Sequence, residues 1–358
     1  MDTEERLSLI RQVGEEIITD EELRKLLETK AHPIAYDGFE PSGSMHIAQG
    51  ILRSINVNKM TKAGVKFKML VADWFALMNN KLGGDLEKIR ITGDYFVEMW
   101  KACGMETEDV EFIWSKDLVR QEGHWKTTID IARATTVPRI LRTSQIMGRK
   151  STDTLSAAQI IYPCMQAADI FHLKCDICQL GMDQRKVNIL AREVGPKLGF
   201  WKPVIVSHHM LLGLLEPKSS YDDPDDRMLD LKMSKSKPDS AIFMTDSEAD
   251  IKRKISKAYC PEKKTDENPI LEYCKYIIFE KFSSIELKRP EKFGGDLNIE
   301  SYGDLEKMYA EGKIHPADLK NAVSGKLNEL IEPVREHFRT NSRAKKLLEQ
   351  VKGFEVTR

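Results

Sequence analysis

The sequence predicts an α/β fold in which helices wrap a parallel sheet, followed by an all-α C-terminal domain. Short apolar runs typical of strands alternate with longer segments of helical periodicity, and this alternation is the pattern of a parallel sheet. The chain has 358 residues, more than a single hydrophobic core usually serves, so we expect more than one domain. The expected division is an N-terminal helical segment over 1–32, an α/β domain over 33–240 and a helical domain over 241–358.

The strands of the predicted sheet begin after the N-terminal helices. Residues 34–37 predict a short strand, 38–43 a turn and 45–61 a helix. The alternation continues through a strand at 66–72, a helix at 86–103, and strands at 110–114 and 203–207. The segment 116–171 has helical patterning and no strand of its own, which indicates an insertion available for subunit contacts or substrate. Ligands of such sheets bind at the carboxyl ends of the strands.

The C-terminal part is expected to be helical. Residues 241–243 are a candidate for one last strand, and Ser247-x-x-Asp250 is a helix-start pattern that opens a helical remainder to residue 358. Basic pairs in this part are interleaved with a nearly equal number of acidic residues. By themselves these pairs indicate solvated helix faces.

Composition narrows the class of protein. A net charge of −1 and a pI near 6.7 give no general basic character, so any contact with nucleic acid must come from a local patch. No apolar run is long enough to span a bilayer, and the acidic N-terminus is unlike a secretory signal, so a cytoplasmic location is expected. The pair Cys175 and Cys178 lacks the second close pair that a zinc site needs, which favours two buried thiols and no metal site.

The run Lys232-Met233-Ser234-Lys235-Ser236 is the most informative motif in the chain. It follows an acidic, turn-prone stretch at 222–226, which predicts a surface loop. Lysines are compact charges suited to a polyphosphate, and a loop can bring them to it while charge develops on the transferring phosphorus. The alternative is a soluble loop without a chemical role.

A second phosphate-binding element is predicted after the first strand. The loop over 38–50 leads into a helix N-terminus, where backbone donors and the helix dipole favour an anion. Gly43 and the small Ser44 allow close approach, and His46 in the first helical turn can add a donor to phosphate oxygens. A histidine with a purely structural role is the alternative.

The two motifs together resemble the signatures of class I aminoacyl-tRNA synthetases, in the same order along the chain. The first departs from the family pattern, because Ala48 replaces a glycine and Gln49 replaces a second histidine, so this position cannot carry charge. The resemblance narrows to tyrosyl-tRNA synthetases of the archaeal and eukaryotic cytosolic type, and it is closest to plant and protist enzymes. It extends over nearly the whole chain, including the segments 162–169, 181–186 and 289–296.

The resemblance implies a Rossmann-like catalytic domain with a tyrosine pocket. Tyr36 and Asp169 resemble the pair that hydrogen-bonds the substrate phenol, and Tyr162, Gln166 and Gln184 resemble the group that fixes its ammonium and ring. On a helix, spacings of four and three place Tyr162, Gln166 and Asp169 on one face. A satisfied polar cluster at a helix interface is the alternative.

The remaining site residues follow from the same resemblance. His46, Lys232 and Lys235 are expected to stabilise the reacting triphosphate. ATP is the expected co-substrate, accompanied by Mg²⁺, and its expected contacts are Gly38, Glu40, His46, Gln49, Lys232, Ser234 and Lys235. Expected tRNA contacts are Arg185 and Lys186 at the acceptor stem, and Phe293 and Asp318 at the anticodon. A homodimer is also implied, with 116–171 supplying much of the interface.

The expected function is the ligation of tyrosine to tRNA(Tyr) in two steps, through tyrosyl-adenylate. Two alternatives stay open. A tryptophanyl-tRNA synthetase shares the architecture, although an indole has no use for the pair Tyr36 and Asp169. The second alternative is an RNA-binding paralogue without catalysis, which the intact signature lysines disfavour.

Overall fold

A six-stranded sheet forms the centre of the N-terminal two thirds of the chain in the computed structural model, which describes residues 1–148, 153–217, 227, 230–235 and 237–354. Ser236 and the acidic stretch 222–226 lie outside the described residues. The strands are Glu16–Ile18 (β1), Ile34–Phe39 (β2), Lys66–Val71 (β3), Val110–Trp114 (β4), Ile177–Cys178 (β5) and Val204–Ser207 (β6).

The order of the strands is β1-β6-β5-β2-β3-β4. All neighbours are parallel except β1, which runs antiparallel to β6. The chain builds outward from β2 through β3 to β4 and then returns to place β5 on the other side of β2. This reversal opens a crevice at the carboxyl ends of β2 and β5, where ligands of open α/β sheets bind.

Helices surround this sheet, as the sequence predicts. They are Thr3–Val13 (α1), Asp20–Thr29 (α2), Arg53–Lys62 (α3), Asp73–Met78 (α4), Leu86–Ala102 (α5), Ser115–Val119 (α6), Glu122–Arg133 (α7), Val137–Thr143 (α8), Ala157–His172 (α9) and Arg185–Val194 (α10). The predicted insertion corresponds to α6 to α9, and its described parts, 116–148 and 153–171, contain helices and no strand.

The two faces of the sheet pack into different parts of the core because successive side chains on a strand point to opposite sides. Ala35 and Phe67 belong to a core on the side of α1, α3 and α5. Tyr36, Leu70 and Cys178 point the other way, into a core that includes α9 and α10. Tyr36 therefore reaches the face of the sheet that carries α9.

The C-terminal part is mainly helical. Its helices are Glu248–Lys257 (α11), Pro269–Tyr273 (α12), Phe279–Lys281 (α13), Tyr302–Ala310 (α14), Pro316–Thr340 (α15) and Ser342–Lys352 (α16). The expectation of an entirely helical remainder is wrong in one place, because Ile285–Leu287 (β7) and Leu297–Ile299 (β8) pair as an antiparallel hairpin. Each of these strands has only three residues, too few for the alternation of buried and exposed positions to be recognised in the sequence.

Three further expectations differ from the structure. The N-terminal segment contains β1 between its helices; this strand of three residues gains its partner only from β6. The predicted strand at 241–243 forms a single bridge, between Phe243 and His46. Residues 45–47 take part in that pairing, so the predicted helix at 45–61 begins later, as a π-helical turn at Ala48–Leu52 that leads into α3.

Two other expectations concern the burial of the cysteines and the possibility of a membrane-spanning helix. All six cysteines are buried, and Cys178 lies on β5 while Cys175 precedes it. Within the described part of the chain, none of the helices combines the length and apolarity needed to cross a membrane.

Candidate functional site

A cavity of about 280 Å³ lies beyond the carboxyl ends of β2, β3, β5 and β6. Most residues predicted for the tyrosine and ATP sites line it: Tyr36, Gly38, Glu40, His46, Gln49, Tyr162, Gln166, Asp169, Gln184 and Lys232. Ser234 and Lys235 do not line it directly. The fold thus gathers side chains from distant parts of the sequence into one crevice at the point where the strand order reverses.

Tyr36 and Asp169 both line the cavity with polar side chains. Both side chains are completely buried. The Tyr36 hydroxyl and the Asp169 Oδ2 have no hydrogen-bond partner among the described residues. A buried polar group without a partner is costly, and a hydroxyl that donates to Asp169 and accepts from Tyr36 would satisfy both. The chemistry of this pair therefore fits a phenol.

The pKa values of the pair reflect this burial. Burial raises the pKa of Asp169 above its usual value, while the hydrogen bond from His124 opposes the rise. Burial also raises the pKa of Tyr36 well above its usual value. Tyr36 is therefore a neutral hydroxyl at physiological pH, able to donate one hydrogen bond.

Helix α9 supplies one wall of the cavity. A capping box fixes its start, because Ser156 Oγ accepts from the backbone of Gln159 at 3.3 Å and the Gln159 side chain accepts from the backbone of Ser156 at 3.0 Å. From this start, Tyr162, Gln166 and Asp169 all face the cavity. The predicted common face of the three residues is confirmed.

Gln166 is held so that one of its atoms stays available. Its Nε2 donates to Gln184 Oε1 at 3.1 Å, and Gln184 Nε2 donates in turn to the Ile146 carbonyl at 3.0 Å. Gln166 Oε1 is buried and has no partner within the described part of the chain. It is an acceptor suited to an ammonium group.

Glu40 is the centre of a charged cluster at the end of β2. Tyr162 donates its hydroxyl to Glu40 Oε1 at 2.7 Å, and Asn79 Nδ2 lies 3.2 and 3.1 Å from the two carboxylate oxygens. Lys81 Nζ is 3.6 Å from Oε2. Asn79 and Lys81 were not predicted from the sequence, because nothing in their local pattern shows that α4 ends beside Glu40.

The loop between β2 and the π-helical turn carries the candidate phosphate site. Gly43 has a φ of +101°, a conformation that favours glycine. His46 pairs with Phe243 through its backbone, and its Nδ1 is buried without a partner among the residues described. Burial and the nearby Lys235 lower the pKa of His46 to about 3. His46 is therefore neutral at pH 7 and offers a hydrogen bond to phosphate without a charge.

Lys235 crosses to this loop from the Lys232-Met233-Ser234-Lys235-Ser236 run. Its Nζ donates to Ser42 Oγ at 3.0 Å and lies 5.1 Å from the centre of the Phe96 ring. Burial and repulsion from Lys81 lower the pKa of Lys235 to about 7, against the attraction of Glu40. A bound polyphosphate would restore its full charge.

Lys232 occupies the other side of the cavity. Its Nζ forms an ion pair with Asp183 Oδ2 at 2.8 Å, and its backbone pairs with Leu212. The run is also fixed farther along, where Ser234 N donates to Ser240 Oγ at 2.9 Å. Asp183 lies within the segment 181–186 that carried the family resemblance, but its pairing with Lys232 follows only from the fold.

A buried ion pair beside the cavity was also not predicted from the sequence. Arg53 Nη1 is 2.7 Å from Asp37 Oδ2, and both side chains are buried. Arg53 Nη2 also donates to Gln179 Oε1, and Gln179 Nε2 is 3.1 Å from His208 Nδ1. Burial raises the pKa of Asp37 to about 7, and Arg53 opposes the rise. The cluster connects the ends of β2, β5 and β6 at the wall of the cavity, which Asp37 and His208 both line.

The residues predicted to contact tRNA lie outside the cavity. Arg185 is exposed at the start of α10 and forms an ion pair with Glu16 at 2.7 Å. Lys186 follows it and is half-buried. Asp318 lies in the first turn of α15, in the C-terminal part. The side chain of Phe293 is outside the described residues.

Comparison with known proteins places the chain in a family. A family model described as class I tRNA synthetases (W and Y) matches residues 28–332. Tyrosine–tRNA ligase 1, cytoplasmic, of Arabidopsis thaliana is 53% identical over 360 residues, which span 100% of this chain and 90% of the relative.

Solved structures agree with this placement. Leishmania major tyrosyl-tRNA synthetase in complex with tyrosinol has a TM-score of 0.89 at 46% identity, covering 98% of this chain and 60% of that chain. The Pyrococcus horikoshii enzyme complexed with L-tyrosine has a TM-score of 0.89 at 38% identity, covering 98% of this chain and 100% of that chain. The chain therefore belongs to the tyrosine–tRNA ligases, which are class I aminoacyl-tRNA synthetases.

Proposed function

We propose that the cavity activates L-tyrosine with ATP and then transfers the tyrosyl group to tRNA(Tyr). In the first step a tyrosine carboxylate oxygen attacks the α-phosphorus of ATP, the bond to the bridging oxygen breaks, and pyrophosphate leaves. In the second step a terminal ribose hydroxyl of the tRNA attacks the tyrosyl carbonyl, loses its proton, and AMP leaves. No side chain becomes covalently modified.

The observation that carries this proposal is the pair of unpartnered buried atoms, Tyr36 OH and Asp169 Oδ2. A tyrosine phenol would donate to Asp169 and accept from Tyr36. Its ammonium would then reach Gln166 Oε1, which is also buried and lacks a partner in the described residues. Tyr162 and Gln184 also line the cavity and hold Glu40 and Gln166 in place. With Gln166 they would fix the ammonium and ring of the substrate.

Catalysis would rest on positioning and on stabilisation of charge. His46 would donate to a phosphate oxygen from the loop before the π-helical turn, and Gly38 and Glu40 at the end of β2 would complete the edge of the nucleotide site. Lys235, at the Ser42 loop, and Lys232, on the other side of the cavity, would hold the triphosphate between them as it becomes pyrophosphate.

The other proposed ATP contacts are Gln49 and Ser234. The Gln49 side chain lines the cavity, and its Oε1 is buried with no partner in the described part of the protein. Such an acceptor suits an exocyclic amine or a ribose hydroxyl of the nucleotide. Ser234 lies between the two signature lysines, and its backbone is fixed by Ser240.

ATP would enter as its Mg²⁺ complex. Mg²⁺ retains several waters and is usually held through substrate phosphates together with one or two carboxylates. Among the described residues, no group of three His, Cys, Asp or Glu side chains is placed to hold a metal ion. The ion would therefore arrive with the substrate.

The test is pyrophosphate exchange measured separately with tyrosine, tryptophan and phenylalanine. We expect exchange with tyrosine alone, because only a phenol satisfies both buried atoms at the end of the cavity. Exchange with tryptophan would support the tryptophanyl alternative. Absence of exchange with every amino acid would support the RNA-binding paralogue without catalysis.

The tRNA would bind across both parts of the chain. We propose that 241–358 is the anticodon-binding domain, that Phe293 stacks on an anticodon base, and that Asp318 accepts a hydrogen bond from a base edge, which is how unpaired RNA bases are read. Arg185 and Lys186 would contact the acceptor stem close to the cavity.

The protein would act as a homodimer in the cytoplasm, the compartment in the names of the Arabidopsis relatives. Exposed apolar side chains are concentrated on the insertion, at 38–63% exposure: Trp125, Ile129, Val137, Leu141 and Ile161. They lie on α7, α8 and α9. Such a concentration of exposed apolar groups is typical of a surface that another chain covers.

We expect the double variant Ile129→Glu, Val137→Glu to be a monomer, because two charges would be buried without partners in the interface. Light scattering should give the wild-type protein twice the 41.0 kDa of the chain, and the variant the mass of one chain. Leu215→Glu is the matched control, since Leu215 is another exposed apolar side chain, at 46% exposure, but lies outside the insertion. A monomeric wild-type protein would contradict the proposal.

A further inference from the structure

His124 contacts the carboxylate that we assign to phenol recognition. It lies on α7, within the insertion, and its Nε2 is 2.7 Å from Asp169 Oδ1. Both side chains are completely buried. The role of His124 was not predictable from the sequence, because this residue lies 45 positions before Asp169 and belongs to none of the motifs.

The two oxygens of Asp169 have different surroundings. Oδ1 meets His124, whereas Oδ2 has no partner among the described residues and is the oxygen available to a ligand. The hydrogen bond therefore uses the oxygen that a bound phenol would not need. A carboxylate held at one oxygen cannot rotate freely about its last bond, so the other oxygen stays aimed in one direction.

The surroundings of the imidazole determine which nitrogen donates. Nδ1 of His124 is buried and has no partner in the described part of the chain. A proton on Nδ1 would be buried without an acceptor, which is costly. This favours the tautomer with its proton on Nε2, so that His124 donates to Asp169.

The position of the ring is fixed by its neighbours. The His172 ring packs against it edge to face, with centroids 5.2 Å apart, and His172 Nε2 is itself 3.0 Å from Thr127 Oγ1. The backbone of His124 is anchored in α7, where Thr128 Oγ1 donates to its carbonyl at 2.9 Å. The donor is therefore preorganised before any substrate binds.

We propose that His124 is a positioning residue for tyrosine specificity: it holds Asp169 so that Oδ2 accepts the substrate hydroxyl. This inference rests on the proposed function, since it takes the phenol end of the cavity as the tyrosine site. His124 does not line the cavity. Loss of His124 should reduce the discrimination between tyrosine and phenylalanine, because only the tyrosine hydroxyl forms a hydrogen bond whose geometry depends on the orientation of the carboxylate.

The decisive variants differ in whether they keep a donor toward Asp169. His124→Phe keeps a ring in the same space and removes the donor, whereas His124→Gln carries an amide nitrogen near the position of Nε2. Tyrosinol and phenylalaninol are suitable probes, because they compete with the amino acid and lack its reacting carboxylate. Their inhibition constants are measured in tyrosine-dependent pyrophosphate exchange.

For His124→Phe we expect tyrosinol to bind about tenfold more weakly, because the hydrogen bond of tyrosinol to a misaligned Asp169 would be lost, and a bond to a charged group has about this value. The inhibition constant of phenylalaninol and the KM for ATP should be unchanged. His124→Gln should keep tyrosinol affinity close to that of the wild type. His32→Gln is the control, an exposed histidine whose ring contacts the Gly64 carbonyl, and should leave the ratio of the two inhibition constants unchanged. In an Asp169→Asn background, His124→Phe should have a smaller effect than in the wild type.

Equal weakening of both inhibitors, or an unchanged tyrosinol constant in His124→Phe, would overturn the inference. If the Phe variant does not fold, His124→Asn replaces it, because its shorter amide does not reach Asp169 Oδ1; the same selective loss is expected. A wild-type protein without tyrosine-dependent exchange would instead overturn the proposed function, so the two failures are distinguishable.

Discussion

Replacement of Lys235 by alanine is expected to slow tyrosyl-adenylate formation about 10²- to 10³-fold, which is typical for the loss of one preorganised donor to a developing charge. Lys235 lies 3.0 Å from Ser42 Oγ, on the loop that would carry the phosphates. Its pKa is lowered to about 7 by burial and by Lys81. A triphosphate in this place would stabilise the charged form, and this gain would be greatest as negative charge builds up on the leaving pyrophosphate.

Single-turnover formation of the adenylate and equilibrium binding of tyrosine are the measurements. Tyrosine affinity should be unchanged, because Lys235 does not line the tyrosine end of the cavity. Lys237→Ala is the control, since Lys237 is an exposed lysine two positions further along the same loop. An adenylation rate that is unaltered in Lys235→Ala, or lowered equally in Lys237→Ala, would contradict the proposed role of Lys235 at the triphosphate.

Asp169→Asn is expected to lower kcat/KM for tyrosine about 10²-fold, while the much lower value for phenylalanine does not fall. The amide has the shape of the carboxylate but no charge, and hydrogen bonds to charged groups contribute about 1.5–3 kcal/mol. Phenylalanine gains nothing from Asp169, since it has no hydroxyl. The discrimination between the two amino acids should therefore narrow.

Pyrophosphate exchange with both amino acids checks this expectation. Asp73→Asn is a matched control: Asp73 is also completely buried, but its carboxylate binds Ser115 Oγ at 2.7 Å, away from the cavity. This control is expected to lose stability and to keep its discrimination. A loss of activity toward tyrosine and phenylalanine in equal measure in Asp169→Asn would contradict the role in phenol recognition.

The family and most residues that line the cavity were predictable from local sequence. The Lys232-Met233-Ser234-Lys235-Ser236 run and the loop around His46 are contiguous motifs, so their chemistry can be inferred without the fold. The helical spacing of Tyr162, Gln166 and Asp169 is likewise a property of α9 alone. In each case the information lies within one turn, loop or helix.

The elements that were missed share a physical cause. Strand β1 and the hairpin of β7 and β8 have only three residues in each strand, and such short strands are stable only through the partners that the fold provides. The predicted helix at 45–61 starts late for the same reason, because its first residues pair with residues 242–244. Local propensity does not contain these long-range pairings.

The sequence by itself determined the class of chemistry, the strand–helix alternation and the identity of the groups that would bind phenol and triphosphate. Only the tertiary structure decided how those groups are held. The contacts of Asp169 with His124, of Lys232 with Asp183 and of Arg53 with Asp37 join residues that are 45, 49 and 16 positions apart. Two of these pairs, Asp169 with His124 and Arg53 with Asp37, are buried. Loss of one partner would leave the other buried and unpaired, and burial is a property of the folded chain.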